Sequence, residues 1–256
     1  MIENSEERQR GICKEGAVAL VTGATRGIGR ACAEALLARG LKVICAGRRG
    51  DLLEKIFSSY GDAALALTLD VTDGEAVAAL PTTLPGAFSE IDILIAAAGS
   101  DIGGRRRFDE GDIADWAGTI DTNVTGLMRV CHAVIPGMLA RGSGHVVTLG
   151  SIAGLRTYAG GSSYGPSKYA VRAFTEALCH DYKHDPLRIT EILPGLVRTS
   201  FAEARHRGDS ERAAAFYDAA AASLTAADIV AAVLFALDQP ESVNISQIVV
   251  TPTGDK

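Results

Sequence analysis

Short aliphatic and β-branched runs alternate with helix-patterned stretches along almost the whole chain, and no other feature constrains the fold as tightly. Ala17–Thr22, Lys42–Ala46, Ala64–Leu69, Ile91–Ala96, His145–Leu149, Leu187–Leu193 and Ser246–Val250 read as strands. Between them fall helices at Gly27–Ala38, closed by Gly40, and at Asp51–Ser59, then one capped by Asp73 ahead of Pro81. Long helices follow at about Asp112–Leu139 and Ser163–Tyr182, and a last one at Ala226–Leu237. Strands apolar throughout, rather than alternating, are buried on both faces, as parallel strands between helical layers are. Right-handed crossovers then give an α/β, doubly wound, seven-stranded parallel sheet in the order 3-2-1-4-5-6-7.

Two stretches interrupt the rhythm. Residues 1–14 are a polar N-terminal extension, leaving 15–256 as one domain, near the upper size for a single core. Residues from about 197 to 223 are rich in Arg, Asp, Glu and Ala and begin just past a strand's carboxyl end, where such sheets bind ligands. They read as a lid. Thirty-one acidic residues against 25 Lys and Arg give a net charge of −6, which disfavours a general nucleic-acid binder. No apolar run approaches the ~20 residues that cross a bilayer. The polar start Met1–Arg10 has no signal-peptide character. The chain thus reads as cytoplasmic, with a small molecule as its partner.

The five cysteines are widely spaced with no C-x-x-C pair, which argues against disulfide scaffolding and zinc. Cys32, Cys45, Cys131 and Cys179 lie in apolar segments and are expected to pack. His180 and His184 share a helix face but lack a third ligand, so they read as helix-end cations and no metal is expected. Trp116, Phe174, Phe216 and Phe235 are expected to pack, with Phe216 and Tyr217 also within the lid's reach of substrate.

Between the first strand and first helix stands Thr22-Gly-Ala-Thr-Arg-Gly-Ile-Gly29. Gly23, Gly27 and Gly29 permit a tight turn, close approach of backbone to a pyrophosphate, and close helix–strand packing; Thr25 and Ile28 lie within the same turn. The helix start behind them offers free N–H groups and a positive dipole end. This is a Rossmann-type nucleotide cradle, spaced G-x-x-x-G-x-G. The second strand ends in Ala46-Gly-Arg-Arg49. NAD binders usually place a carboxylate there for the ribose hydroxyls, but Gly47 leaves none to repel a 2′-phosphate. Arg48, Arg49 and Arg26 can hold that phosphate, so NADP is expected over NAD. Asp70, beside Val71, is placed for the adenine edge.

Ser151 follows the fifth strand, and Tyr164-Gly-Pro-Ser-Lys168 opens the next long helix, with Tyr and Lys on one face. For Tyr164 to act near neutrality its pKa must fall by roughly 3, about 4 kcal/mol. A neighbouring ammonium and a nicotinamide cation can supply that. Tyr164 would exchange a proton with the substrate oxygen while hydride moves, and Ser151 would orient that oxygen. Asn123, in Thr122-Asn-Val-Thr-Gly126, is a poor helix former at an interior position.

From about Ala17 to Thr251 the sequence resembles the short-chain dehydrogenase/reductase family. The family pattern T-G-x-x-x-G-x-G, N-x-x-G, S and Y-x-x-x-K falls on Thr22–Gly29, Asn123–Gly126, Ser151 and Tyr164–Lys168. The resemblance implies that Pro194 and Gly195 flank the nicotinamide, that Val197 and Thr199 touch the cofactor, and that Asn123 holds a helix kink and a water joining Lys168 to solvent. It also implies a tetramer or dimer built through the two long helices. The family's N-N-A-G is here Ala96-Ala-Ala-Gly99, which keeps backbone contacts through Ala98 and Gly99 but loses the Asn side-chain bonds. Tyr158-Ala-Gly-Gly161, Arg205-His-Arg-Gly-Asp209 and the ending Val243–Pro252 resemble the NADP-dependent 3-hydroxy acid (serine-type) dehydrogenase and sulfoacetaldehyde reductase branch. Small β-hydroxy or aldehyde substrates are implied, anionic ones among them, with Arg205 and Arg207 as partners for the anion. Arg105-Arg-Arg107 reads as a solvated charge run. Two other functions remain open: reduction of a 3-oxoacyl thioester or other carbonyl such as a steroid, and a catalytically silent NADPH sensor on the same fold.

Overall fold

In a computed structural model, residues 11–218 and 222–254 are described. Most of the expected extension, residues 1–10, lies outside them, as do 219–221 of the expected lid and the last two residues. Seven strands form one all-parallel sheet: β1 (Val18–Thr22), β2 (Lys42–Gly47), β3 (Ala64–Thr68), β4 (Ile91–Ala96), β5 (Gly144–Leu149), β6 (Leu187–Pro194) and β7 (Gln247–Val250). Their order is β3-β2-β1-β4-β5-β6-β7, the expected doubly wound arrangement. Every residue of β1, β5 and β6 is buried, which is why their sequences show no alternation.

The helices are α1 (Gly27–Ala38), α2 (Gly50–Phe57), α3 (Gly74–Thr83), α4 (Ile113–Ile120), α5 (Gly126–Arg141), α6 (Tyr164–Asp181), α7 (Phe201–Arg205), α8 (Ser210–Asp218) and α9 (Ala226–Leu237). Asp73 caps α3 by accepting from Glu75 and Ala76 N–H. Pro81 does not end α3 but lies inside it, in the final turn. One apolar layer, with Leu20, Leu94, Val146 and Ile189, packs under α3, α5 and α6. The other, with Val21, Ile95, Val147 and Ile192, packs under α1 and α9.

The long helix expected over 112–139 is broken. A π-turn at Asp121–Thr125 separates α4 from α5 and places Asn123 inside the molecule. Asn123 Oδ1 accepts from Ser100 N–H at 2.7 Å, and its Nδ2 donates to Ser100 O and Ser167 Oγ, both at 2.9 Å. These bonds tie three segments together and account for a poor helix former at this place. The insertion after β6 holds α7 and α8, and its base is closed where Arg198 N–H donates to Leu224 O and Leu224 N–H to Leu196 O. Phe235 departs from expectation: it is 56% exposed on the outside of α9. Cys32 and Cys131 are enclosed, and burial pushes their thiols up to about 12, so they are inert packing groups.

Candidate active site

The cleft opens at the carboxyl ends of β1 and β4, where the strand order reverses. Gly23 and Gly27 have φ of +71° and +56°, a region that disfavours any side chain. A Cβ at Gly29 would press into the Gly23 carbonyl, so α1 runs against β1 at backbone distance. No side chain caps α1 and no acid stands in its first turn, leaving its amides directed at the cleft. This cradle fits a pyrophosphate.

Thr25, Ile28, Arg48, Asp70, Val71, Ala98, Gly99, Pro194, Gly195, Val197 and Thr199 all line the same cleft, with the glycines and Arg26. Asp70 Oδ1 accepts from Thr72 N–H and Oγ1, which orients its carboxylate. Arg49 lies beyond, lining an adjoining hollow with Thr25, Arg26 and Arg48. Burial holds the Arg26 guanidinium below its ordinary range, and the neighbouring charges of Arg49 and Arg48 push it the same way. Three mutually repelling cations at one corner form a site that an anion relieves.

At the other end stand Ser151, Tyr164 and Lys168. Ser151 Oγ accepts from Ala153 N–H at 3.1 Å and touches the Tyr164 hydroxyl. Lys168 is buried, donates from Nζ to Leu149 O at 2.6 Å, and sits 5.7 Å from the Tyr164 ring centre. Burial pulls its ammonium down to about 8 against the favourable charges of Glu191 and Asp101. Tyr164 goes the other way from expectation. Burial pushes its hydroxyl above the ordinary range, and the Asp101 charge adds to this, against Arg205 and Ser151. The side chains around it therefore keep it a phenol. Asn123 does not line the cleft. It faces a small cavity behind it, shared with Lys168 and Leu149.

Arg205 and Arg207 do not stand free for an anion. Arg205 Nε lies 2.6 Å from Asp101 Oδ2 in an enclosed pair, and Arg207 lies 2.6 Å from Asp115. Both carboxylates belong to the segments after β4, so the pairs join those segments to the insertion. Arg105 is not simply solvated: its guanidinium stacks 4.5 Å over the Tyr158 ring and 5.3 Å from that of Phe216. Arg205 lies 4.8 Å from the same Phe216 and 5.5 Å from Phe201, whose ring is 5.9 Å from that of Tyr164. Tyr217 is buried, with its hydroxyl bonded to the Thr199 backbone.

The loss of the two asparagines at Ala96-Ala97 is met locally. Ala98 N–H donates to Thr22 Oγ1 at 3.1 Å, and Gly99 packs against Asn123. Sequence reasoning did not find Asp101, Phe201, Ser100 or Ser167. Ser167 fills a variable place of the Tyr164–Lys168 motif and the others stand in none, and each meets a partner 20 or more residues away.

Residues 17–210 match the family described as short chain dehydrogenase, and the chain belongs to that family. A probable NADP-dependent dehydrogenase of Haemophilus influenzae is 40% identical over 92% of this chain and 93% of its own length. The NADP-dependent 3-hydroxy acid dehydrogenase YdfG of Salmonella typhimurium is 38% identical over 92% and 94%. Among solved structures, the closed form of a serine dehydrogenase complexed with NADP+ superposes with a TM-score of 0.90. It is 37% identical and covers 93% of this chain and 96% of that one. The chain is thus an oxidoreductase of the short-chain dehydrogenase type.

Proposed function

We propose that this enzyme interconverts a small 3-hydroxy acid and its carbonyl form with NADP(H), Tyr164 serving as general acid and base. The observation that carries the reading is the meeting of Ser151, Tyr164 and Lys168 at one end of a cleft whose other end is a glycine cradle beside three arginines. The crowding of Arg26, Arg48 and Arg49, with no carboxylate at Gly47, supports NADP over NAD. The match to proteins named as NADP-dependent and as acting on hydroxy acids or serine supports both cofactor and substrate class.

NADP, when bound, supplies the hydride acceptor and the positive charge of an oxidised nicotinamide. In reduction the Tyr164 phenol would give its proton to the substrate carbonyl oxygen; in oxidation it would take the hydroxyl proton only once the nicotinamide and Lys168 charges have ionised it, with Ser151 Oγ holding the same oxygen in both directions. The Lys168 ammonium lowers the cost of the phenolate, and Asn123 lines the same small cavity behind it. Of the two guanidinium groups beside Phe216, Arg205 is already paired with Asp101, so an anionic end on the substrate would fall to Arg105. The insertion carrying α7 and α8 then acts as a lid. Ile113 and Met128, exposed on α4 and α5, with Tyr169 on α6, support assembly into dimers or tetramers through this helical face.

The test is turnover of NADP+ with a panel of 3-hydroxy acids and neutral alcohols. Activity favouring the acids, and a fall of about 10²–10⁴-fold in kcat for Tyr164→Phe, is the expected result. Tight NADPH binding with no turnover across the panel would make the protein a sensor instead.

A further inference from the structure

Glu191 is a carboxylate that none of these steps uses, and it is 1% exposed. It lies in β6, and strand alternation places it on the same side as Ile189, which packs with Val171 and Leu178 of α6. Its Oε2 accepts from Gln247 Nε2 on β7 at 2.8 Å. Its Oε1 presses on Gly150, where any Cβ would overlap it. The Lys168 ammonium meets that same peptide unit from its other end, donating to Leu149 O at 2.6 Å. A buried carboxylate at the Gly150 Cα and a buried ammonium at Leu149 O thus flank the Leu149–Gly150 peptide, one residue before Ser151. A glycine at 150 is what lets the carboxylate approach so closely.

We propose that Glu191 is a positioning residue of the catalytic centre, its carboxylate keeping Lys168 an ammonium and pinning the Gly150–Ser151 backbone. The proposal rests on the roles of Tyr164 and Lys168 given above. Lys168 faces Tyr164 on its own helix, Asp101 from the loop after β4, and Glu191 from β6. Glu191 faces Lys168, Arg172 and Glu176 on α6 and Gln247 on β7. Arg172, one helical turn beyond Lys168, is the competing cation. Burial opposes charge on both Lys168 and Glu191; the Glu191 charge comes first among those favouring the ammonium, while the carboxylate is favoured first by the Gln247 bond and then by Lys168. Removing the carboxylate leaves the enclosed ammonium with the Leu149 carbonyl and the charge of Asp101 in its favour.

The experiment is the pH profile of kcat for NADPH-linked reduction of the carbonyl form by wild type, Glu191→Gln, Glu191→Asp, Gln247→Leu and Tyr164→Phe. In this direction activity is expected to decline at alkaline pH as Lys168 loses its proton and no longer stabilises the phenolate left on Tyr164. In Glu191→Gln that decline is expected to begin about one pH unit lower, while Glu191→Asp retains the wild-type limb. Coincident limbs in wild type and Glu191→Gln would overturn the proposal, whatever the change in melting temperature. Should Glu191→Gln fail to fold, Gln247→Leu decides, because it removes only the bond that favours the carboxylate. Its limb moves to lower pH if the proposal holds, and an unmoved limb overturns it. A wild-type protein without turnover, or an active Tyr164→Phe, would sink the proposed function and this inference with it. An unmoved limb in an otherwise active enzyme sinks only the role of Glu191.

Discussion

Three arginines crowding one corner of the cleft are the clearest case of single residues setting a preference. Gly47 places no carboxylate at the end of β2, where Arg26, Arg48 and Arg49 crowd together. Charge-assisted bonds to a phosphate contribute roughly 1.5–3 kcal/mol each. Arg48→Ala should therefore raise KM for NADP about 10- to 100-fold while leaving that for NAD within about twofold, measured side by side. Equal losses for both cofactors would remove Arg48 from the 2′-phosphate. His145 makes a separate prediction. It is fully enclosed in β5, contacts Thr190 Oγ1 at 2.8 Å, and burial holds its pKa down to about 3. The unfolded chain binds a proton at this imidazole below about 6.5, but the folded one only near 3. Stability is therefore complete above 6.5 and is lost as pH falls through that window, by roughly 3–5 kcal/mol in full. Urea unfolding of His145→Asn should show a flatter pH dependence between 4 and 6.5 than wild type.

Among the elements, the α4–π–α5 segment shows most plainly how a local weakness is put to use. Asn123 interrupts what the hydrophobic pattern presents as one helix, and the interruption lets it bond Ser100 and Ser167. Truncating it leaves buried groups unpaired. Asn123→Ala should lower unfolding free energy by roughly 2–4 kcal/mol in urea titrations and reduce kcat as well. A loss of activity without a loss of stability would mean that the side chain serves chemistry alone. α1 is the counterpart: its uncapped start and acid-free first turn keep its amides available to a phosphate.

For the molecule as a whole, the contacts that join the insertion to the segments after β4 matter most. Asp101–Arg205 is enclosed and links parts of the chain 104 residues apart, and Arg207–Asp115 lies beside it nearer solvent. Removing one member of a buried pair costs about 3–5 kcal/mol, because the other charge remains. Asp101→Ala should lower the melting temperature by about 10 °C. The double variant Asp101→Ala with Arg205→Met should lose less than half of that. Equal losses in the two would mean that packing around Arg205, not its charge, carries the effect.

The sheet, its order and the placement of the glycine turn were legible in the chain because strand burial, crossover handedness and positive-φ glycines each leave a local mark. Ala226–Leu237 and Ile91–Ala96 were readable to the residue, since a cap or an apolar run bounds them. The spaced residues Ser151, Tyr164 and Lys168 were readable because helix periodicity sets two of them on one face. A kink at Asn123 was implied, but its partners Ser100 and Ser167, the pairing of Arg205 with Asp101 and the place of Glu191 beneath Gly150 were not legible. Each depends on groups brought together from distant parts of the chain, where no local periodicity or propensity records the partner. Sequence by itself determined the scaffold and the kind of chemistry, because backbone preference and burial act over a few residues. Only the tertiary structure decided which charges are paired and which face the cleft, because the sign and size of an electrostatic interaction depend on distance and enclosure.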